Sequence, residues 1–266
     1  MAEKLEDSLV RILNKNGSYI GIGVLISHEH LITCSHVILD ALGLKHTSLD
    51  VPKESVYVDF PYQKKQTILS ATVVEESWRP PQKDISNYLD DGEDIAILRL
   101  DGIAPKTAGP AQFVQLEELR DHEIDFFGVP ANNPQGVWTS GKVVKKLPNG
   151  RLQIQGTGQE GYSVEPGFSG SPILDKNQQA VIGIVVARDP KRPTARVGFA
   201  IPTDMLVRAW PALMERAILP CPYQGLSTFL EKDARFFFGR NRLIERLSQT
   251  VKTQSFSAVV GPAVSG

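Results

Sequence analysis

The sequence predicts an all-β fold over most of its 266 residues, and three observations support this prediction. Short apolar runs recur between Leu9 and Ala200. Clusters of Gly, Pro, Asn and Asp separate these runs, and the long helical crossovers that parallel strands need are missing between them. A barrel or a sandwich of short strands is therefore expected. The predicted strands are Leu9–Leu13, Ile20–Ile26, His30–Thr33, Ser55–Phe60, Ile68–Val74, Ile95–Leu100, Glu123–Val129, Trp138–Lys145, Leu152–Gln155, Ile173–Leu174, Val181–Val186 and Val197–Ile201.

A helix is predicted at residues 204–218, after the last of these strands. Thr203 or Asp204 is expected to cap its start, and Pro211 near its middle is expected to kink it or divide it in two. The composition changes after Pro220, which indicates a second domain. The predicted domains are residues 1–217 and residues 218–266.

The composition excludes several classes of protein. The formal net charge of −1 gives no electrostatic reason to expect nucleic acid or an anionic membrane surface as a partner. The acidic N-terminus lacks the apolar core of a signal peptide, and no apolar run approaches the length of a membrane span. Cys34 and Cys221 fall in different predicted domains, so a disulfide framework is not expected. We expect a soluble cytoplasmic protein.

The segment 165–172, EPGFSGSP, places Ser169 in a glycine-rich turn before an apolar run. Gly167 lets the backbone turn sharply enough for its own N–H and that of Ser169 to converge beside the serine hydroxyl. The nucleophile and two oxyanion donors would then come from a run of consecutive residues, with Ser169 supplying both the hydroxyl and one N–H. Taken alone, the segment is equally well explained as a surface turn rich in Gly, Ser and Pro.

A serine nucleophile needs a general base and a group that orients this base. Among the five histidines, His36 follows a strand-like stretch through the small residues Cys34 and Ser35, so its ring could point into a cleft. Asp94 stands at the mouth of the apolar strand at 95–100 and is the candidate orienting carboxylate. The alternatives are an ordinary polar histidine and an aspartate in a turn.

Together these segments resemble the trypsin-like serine peptidases of the chymotrypsin fold, over residues 8–217 and in the family's order His, Asp, Ser. The resemblance implies a chymotrypsin-like double antiparallel β-barrel with a C-terminal helix, followed here by a short α/β segment. It implies that His36 is the general base, Asp94 its orienter and Ser169 the nucleophile, with the N–H groups of Gly167 and Ser169 as the oxyanion hole. The matching blocks are Gly21–Ile26 with Leu31–Val37, Asp94–Leu98, Gly167–Pro172, Gly183–Val185 and Gly198–Pro202, the last being especially similar to the bacterial Deg-type branch.

Two departures from the family pattern sharpen the expectation. Phe168 occupies the position of the aspartate that pairs with a new N-terminal amine in secreted members, so activation by cleavage is not expected. The primary (S1) pocket has no carboxylate at its base, so a small or medium uncharged P1 side chain is expected. Arg188 could shorten this pocket or bind an acidic side chain, unless Asp189 neutralises it. The positions that match the pocket are Ser163, Val186, Ala187, Arg188 and Gly198.

The C-terminal segment predicts the start of a nucleotide-binding domain. Residues 233–249 have a helical pattern, and residues 255–260 form a predicted strand that leads into Gly261 and Gly266. These two glycines fit the first six positions of a Walker A loop, whose lysine and hydroxyl residue would follow. Residues 221–266 resemble the entry to a STAND-type signalling ATPase. ATP and Mg²⁺ are therefore expected only for a downstream NTPase domain, and no cofactor or metal for the peptidase.

Three functions follow from this sequence. The first is an intracellular serine endopeptidase that cleaves protein or peptide substrates as the effector of a nucleotide-regulated switch in defence or cell death, with oligomerisation on activation. The second is a catalytically silent module that recruits peptides through the same cleft. The third is an ATPase whose β domain acts as a sensor.

Overall fold

The computed structural model describes residues 5–81, 94–157, 164–188, 197–215, 217–218 and 241–254. The chain divides into two compact units, Met1–Pro220 and Cys221–Gly266. The described part of the second unit is a helix, which covers part of the helix expected at 233–249 and continues beyond it. The strand expected at 255–260 and the glycines Gly261 and Gly266 lie outside the described residues.

Six antiparallel strands form a closed barrel in the first half of the larger unit. Their order around the barrel is β1-β2-β3-β6-β5-β4, and the pairing of β4 with β1 closes it. The strands are β1 (Leu9–Leu13), β2 (Tyr19–Leu25), β3 (His30–Thr33), β4 (Val56–Asp59), β5 (Ile68–Val73) and β6 (Ala96–Leu100).

A second antiparallel barrel follows, and two short strands extend it. The strands of this half are β7 (Phe113–Val114), β8 (Glu123–Gly128), β9 (Val137–Lys146), β10 (Leu152–Gly156), β11 (Pro172–Asp175), β12 (Ala180–Arg188), β13 (Val197–Pro202) and β14 (Ala217–Ile218). The ring runs β11-β8-β9-β10-β13-β12 and closes through the pairing of β11 with β12. Strand β7 pairs with β12 and β14 pairs with β7, both in parallel.

Helices are few and short in the described part of the larger unit. The helices among the described residues are α1 (Leu5–Ser8), α2 (Ser35–Leu42), α3 (Thr203–Ala209) and α4 (Asn241–Thr253), with 3₁₀ turns at Glu75–Ser77 and Pro211–Glu215. None of the described helices combines the length and the hydropathy that a bilayer span requires.

The predicted double barrel is confirmed, whereas the helix at 204–218 was too long. Pro211 divides it, because helix α3 ends at Ala209 and only a 3₁₀ turn follows. The predicted side-chain cap is wrong as well, because Pro202 occupies the N-cap position and forms no side-chain cap. Ala217 and Ile218 form strand β14 instead of a last helical turn.

The two barrels share buried apolar packing, including one small cluster, and a hydrogen bond from Arg11 links them. Leu9 and Ile22 from the first barrel pack with Phe127 of β8 and with Val129, which follows that strand. Arg11 donates two hydrogen bonds of 2.7 Å to the buried carboxylate of Asp59. Its Nη1 also donates to a carbonyl of the segment between β8 and β9, at 3.1 Å. These contacts fix the two barrels beside the loop that carries Ser169.

Candidate active site

Strand pairing brings His36 and Asp94 together at one end of the first barrel. Strand β3 pairs with β6, with Thr33 opposite Ala96, and Asp94 lies two residues before Ala96. His36 stands in the first turn of α2, which follows β3 directly. As a result, His36 Nδ1 and Asp94 Oδ2 are 2.7 Å apart, a hydrogen-bonded pair with the geometry expected of a base and its orienter.

Asp94 is buried and accepts three hydrogen bonds. Besides the ring of His36, the hydroxyl of Ser35 donates to Oδ1 at 2.7 Å and the backbone N–H of His36 donates to the same oxygen at 2.9 Å. The backbone of Asp94 has φ of +49°, a left-handed conformation that a residue other than glycine adopts at some energetic cost. The carboxylate is thus held in one orientation towards the imidazole.

The charges of this pair shift both pKa values. Burial opposes protonation of His36, but the adjacent Asp94 carboxylate outweighs it and raises the pKa of His36 above its ordinary value. Burial also opposes ionisation of Asp94, but the His36 ring, the Ser35 hydroxyl and the His36 N–H lower the pKa of Asp94. Asp94 is therefore ionised at neutral pH, and His36 binds a proton more readily than a free histidine.

The loop that carries Ser169 lies between β2 and β12. The N–H of Ile22 in β2 donates to the carbonyl of Ser169 at 2.9 Å, and the N–H of Gly170 donates to the carbonyl of Val185 in β12 at 2.8 Å. A Cβ atom added at Gly21 would lie 3.0 Å from the Ser169 carbonyl and 2.9 Å from the side chain of Val37. The backbone of Ser169 thus comes close to the residue that follows His36.

The hydroxyl of Ser169 does not bond to His36 in this conformation. It donates to the carbonyl of Val186 at 3.3 Å, and no hydrogen bond between Ser169 and His36 occurs among the described residues. Hydrogen bonds between a nucleophile and its base are often long or misaligned without substrate and tighten when it binds. The structure therefore brings together His36 and Asp94, the predicted base and its predicted orienter, and places Ser169 nearby with its hydroxyl turned to β12.

The turn before Ser169 leaves two backbone donors available. Pro166 and Gly167 form the centre of a tight turn in which the N–H of Phe168 donates to the carbonyl of Glu165 at 3.1 Å. Gly167 has φ of +99°, which together with the preceding proline is typical of a type II turn. Within the described residues, the N–H groups of Gly167 and Ser169 donate to no protein acceptor. Two adjacent free donors beside a serine are what an oxyanion hole requires.

Cys34, His36 and Asp94 are the only described cluster of three metal-ligating side chains, with ligand atoms within 4.8 Å of one another. Burial raises the pKa of Cys34 well above its ordinary value, which keeps it a thiol, whereas a metal binds thiolate. The thiol contacts the carbonyl of Val185 at 3.4 Å, and Asp94 already accepts three hydrogen bonds. Each of the three side chains thus already has a hydrogen-bond partner within the protein.

The pocket residues are only partly described. Ser163 lies outside the described residues, whereas Val186, Ala187 and Arg188, the residues predicted for one wall, lie on β12. Gly198 of β13 lies opposite Arg188, and a Cβ added there would meet the side chain of Val164 at 2.6 Å. A cavity of about 470 Å³ lies between α1 and the start of β12, and no predicted site residue lines it.

The sequence did not indicate the roles of Ser35 and Val186. The sequence identifies Ser35 only as a small neighbour of His36, whereas its hydroxyl donates to Asp94. A hydroxyl beside the candidate base could have suggested this contact. Val186 accepts the Ser169 hydroxyl through its backbone carbonyl, a contact that the side-chain pattern cannot reveal.

A family model described as a trypsin-like peptidase domain matches residues 21–184, more than half of the chain. The chain belongs to the trypsin-like peptidase family. The matched range includes His36, Asp94 and Ser169. A second model, described as novel STAND NTPase 1, matches residues 222–266.

Solved structures of other proteins have a similar fold to this trypsin-like peptidase. The inactive form of the Rv3671c protease from M. tuberculosis has a TM-score of 0.52 at 21% identity, over 79% of this chain and 90% of that one. The serine endoprotease from Yersinia pestis has a TM-score of 0.54 at 20% identity, over 80% of this chain and 64% of that one. Deg5 has a TM-score of 0.53 at 20% identity, over 79% and 90% of the two chains. Comparison with curated proteins gives no match.

Phe168 is part of the core of the second barrel of this peptidase. Its side chain is fully buried, and its ring packs edge-on against Phe126 with centroids 5.8 Å apart. A Cβ added at Gly128 would lie 2.4 Å from the same ring, so the absence of a side chain there makes room for it. A buried aromatic ring thus occupies the position where the family resemblance implies an activation carboxylate in secreted members.

We predict that Phe168→Asp destabilises the fold instead of creating an activation switch. Loss of the buried ring, together with burial of a carboxylate among apolar groups, should lower the free energy of unfolding by at least about 3–5 kcal/mol. Phe168→Leu is the control and should lose about 1–2 kcal/mol, because it keeps the site apolar. Urea unfolding measures both values, and an aspartate variant as stable as the native chain would contradict this packing.

Proposed function

We propose that the larger unit is a serine endopeptidase that cleaves protein substrates with Ser169, His36 and Asp94. The observation that carries this proposal is the buried carboxylate of Asp94, bonded to His36 Nδ1 at 2.7 Å and fixed by two further donors. The nearby serine and its two free backbone donors supply the remaining parts of acyl transfer.

The chemistry follows from these contacts. His36 Nε2 would take the proton of the Ser169 hydroxyl as Oγ attacks the scissile carbonyl, and the N–H groups of Gly167 and Ser169 would stabilise the oxyanion. The same proton then passes to the leaving amine, and the peptide bond breaks to give an ester on Ser169. Water, deprotonated by His36, attacks this ester, and the proton passes from His36 to Ser169 Oγ as the carboxylic acid leaves and the serine is regenerated. Asp94 stays ionised throughout and holds the tautomer of His36.

A fluorophosphonate probe, which phosphonylates activated serines, tests this proposal. The native chain should be labelled and Ser169→Ala should not, with the modification located by mass spectrometry. Equal labelling of both proteins would refute the assignment of the nucleophile.

A catalytically silent peptide-binding module is the second candidate, and the Ser169 hydroxyl favours it. This hydroxyl donates to the carbonyl of Val186, a bond that must break before His36 can activate it. Peptide binding by fluorescence anisotropy, combined with absence of labelling and of cleavage in the full-length oligomeric protein, would support this candidate. Labelling that appears only in the assembled protein would instead indicate a latent peptidase.

The regulation that we propose involves the segment matched by the STAND NTPase model. Residues 222–266 would continue into an NTPase domain that binds ATP and Mg²⁺, and oligomerisation of that domain would bring peptidase units together in a cytoplasmic defence or cell-death response. Nucleotide-dependent labelling of Ser169 in the chain extended by its downstream sequence would support this link. Identical labelling with and without ATP would contradict it.

The pH dependence of labelling should reflect the pKa of His36. The base acts only when neutral, and its pKa is raised by Asp94 despite burial, so the labelling rate should increase with pH through a midpoint above 6.5. Rates measured between about pH 5 and 9 give this midpoint. A midpoint below 6.5 would show that the Asp94 carboxylate does not raise the pKa of His36.

A further inference from the structure

A second histidine, His46, lies beside the predicted base. The centroids of the His36 and His46 rings are 5.8 Å apart, with the ring planes at 58°. Gly43 ends α2 in a left-handed conformation, with φ of 70°, and its N–H bonds back to the carbonyl of Asp40. The chain thereby turns back at the end of α2, and His46 reaches the carboxylate of Asp40, at 2.7 Å from Nε2 to Oδ1.

Each of the two rings uses one nitrogen for a carboxylate. His36 Nδ1 bonds to Asp94 and His46 Nε2 bonds to Asp40, both at 2.7 Å. Within the described residues, His36 Nε2 and His46 Nδ1 have no hydrogen-bond partner. Histidines that bind metal ions show this arrangement, in which a carboxylate fixes the tautomer through one ring nitrogen and the other nitrogen coordinates the metal.

The spacing of the rings fits a shared ion. Zinc–nitrogen bonds of about 2.0–2.1 Å in a tetrahedral site place the centroids of two imidazoles about 5 Å apart. The observed 5.8 Å is close to this value, and the 29% exposed side chain of His46 has room to turn its free nitrogen towards an ion shared with His36. The carboxylates of Asp94 and Asp40 place negative charge near His36, which favours a bound cation. Arg151 of the second barrel places positive charge near the same ring and opposes this effect.

We propose that His36 Nε2 and His46 Nδ1 bind a transition-metal ion of the zinc type. Water completes the coordination, and Asp94 and Asp40 act as outer carboxylates. The metal occupies the nitrogen that would accept the proton of Ser169, so binding inhibits the peptidase reversibly. This inhibitory effect rests on the proposed function, whereas binding of the metal does not.

Calorimetry with zinc chloride on the Ser169→Ala variant tests binding without any turnover. One equivalent should bind, and magnesium chloride should not, because Mg²⁺ prefers oxygen ligands. Asp40→Asn should weaken zinc binding about 10- to 100-fold through the loss of an outer carboxylate. His46→Gln, which keeps a side-chain amide near Asp40, should weaken it further. Circular dichroism confirms that each variant is folded, and zinc affinity unchanged in folded His46→Gln would overturn the proposal.

The inhibitory effect is tested separately with the fluorophosphonate probe. Zinc should slow labelling of the native chain, and a chelator should restore the rate. In His46→Gln, the ratio of the rates without and with zinc should approach one. Zinc-insensitive labelling of the native chain, despite binding by calorimetry, would overturn the inhibitory role. A native chain that is never labelled would count against the proposed function, while calorimetry would still decide the metal site.

Discussion

Replacing Asp94 by asparagine is expected to lower kcat/KM about 10⁴-fold, the loss typical of a triad whose histidine adopts the wrong tautomer. Asp94 only accepts hydrogen bonds, from the His36 ring, the His36 N–H and the Ser35 hydroxyl. An asparagine has one acceptor oxygen and one NH₂ group, so it cannot accept from both sides of the carboxylate. If the NH₂ group of the asparagine faces His36, Nδ1 must accept its hydrogen bond. The ring proton then sits on Nε2, so Nε2 cannot accept the proton of Ser169.

The Asp94→Asn variant should also change how stability depends on pH. The pKa of Asp94 is lowered in the folded state. Its contribution to the free energy of unfolding is therefore present above the ordinary pKa of 3.8 and is lost as the pH falls through the folded-state pKa. The pKa of His36 is raised in the folded state. Its contribution to the free energy of unfolding is therefore present below the ordinary pKa of 6.5 and is lost as the pH rises through the folded-state pKa. The stability lost in the variant should therefore be greatest between these two values. Urea unfolding at several pH values measures it.

Ser35→Ala is the matched control for Asp94→Asn. It removes one of the three donors to Asp94 but leaves the carboxylate and its bond to His36 in place. The loss of one hydrogen bond to a charged group should cost about 1.5–3 kcal/mol of stability and far less activity than the asparagine substitution. Equal losses of labelling rate in the two variants would mean that Asp94 acts mainly in folding and not in orienting the base.

The sequence predicted the double barrel because apolar runs and turn residues repeat with the spacing of antiparallel strands. It failed for the two-residue strands β7 and β14, since two residues are too few to show a periodic pattern. Helix α2 was not predicted either, because its eight residues directly continue the apolar run of β3. The helix at 204–218 was predicted too long, since local propensity did not register that Ala217 pairs with Phe113.

The site could be predicted as a set of residues but not as a geometry. His36 and Asp94 lie close together because β3 pairs with β6. Local sequence carries no signal for this pairing, and only the family resemblance predicted that the two residues meet. The direction of the Ser169 hydroxyl depends on a side-chain rotation and on a backbone carbonyl of β12, neither of which has a sequence signal. The approach of His46 to His36 depends on the turn after α2, and for this reason it was not foreseen. The catalytic roles of the three residues stay predictions.

Replacing Gly167 by alanine is expected to lower kcat about 10²–10³-fold, the effect of losing one oxyanion-hole donor. A Cβ at this position would lie 2.1 Å from the carbonyl oxygen of Val129, a contact that neither backbone can accommodate. Alanine also disfavours the positive φ of residue 167, so the backbone of the turn would have to change. A type I turn would avoid the positive φ, but it turns the peptide between Pro166 and Gly167 over, so that the N–H of residue 167 points away from the oxyanion.

Gly17→Ala separates this effect from simple backbone strain. Gly17 has φ of +80°, close to the +99° of Gly167, but a Cβ there meets no atom within 4 Å. Gly17→Ala should lose about 1–3 kcal/mol of stability through strained backbone, Gly167→Ala should lose at least as much because of its contact with Val129, and only Gly167→Ala should lose kcat. Active-site labelling and thermal unfolding of the two variants, measured side by side, make the comparison. If both lose activity in proportion to stability, Gly167 serves the fold alone. If only Gly167→Ala is inactive while it remains folded, its N–H is a donor that the reaction needs.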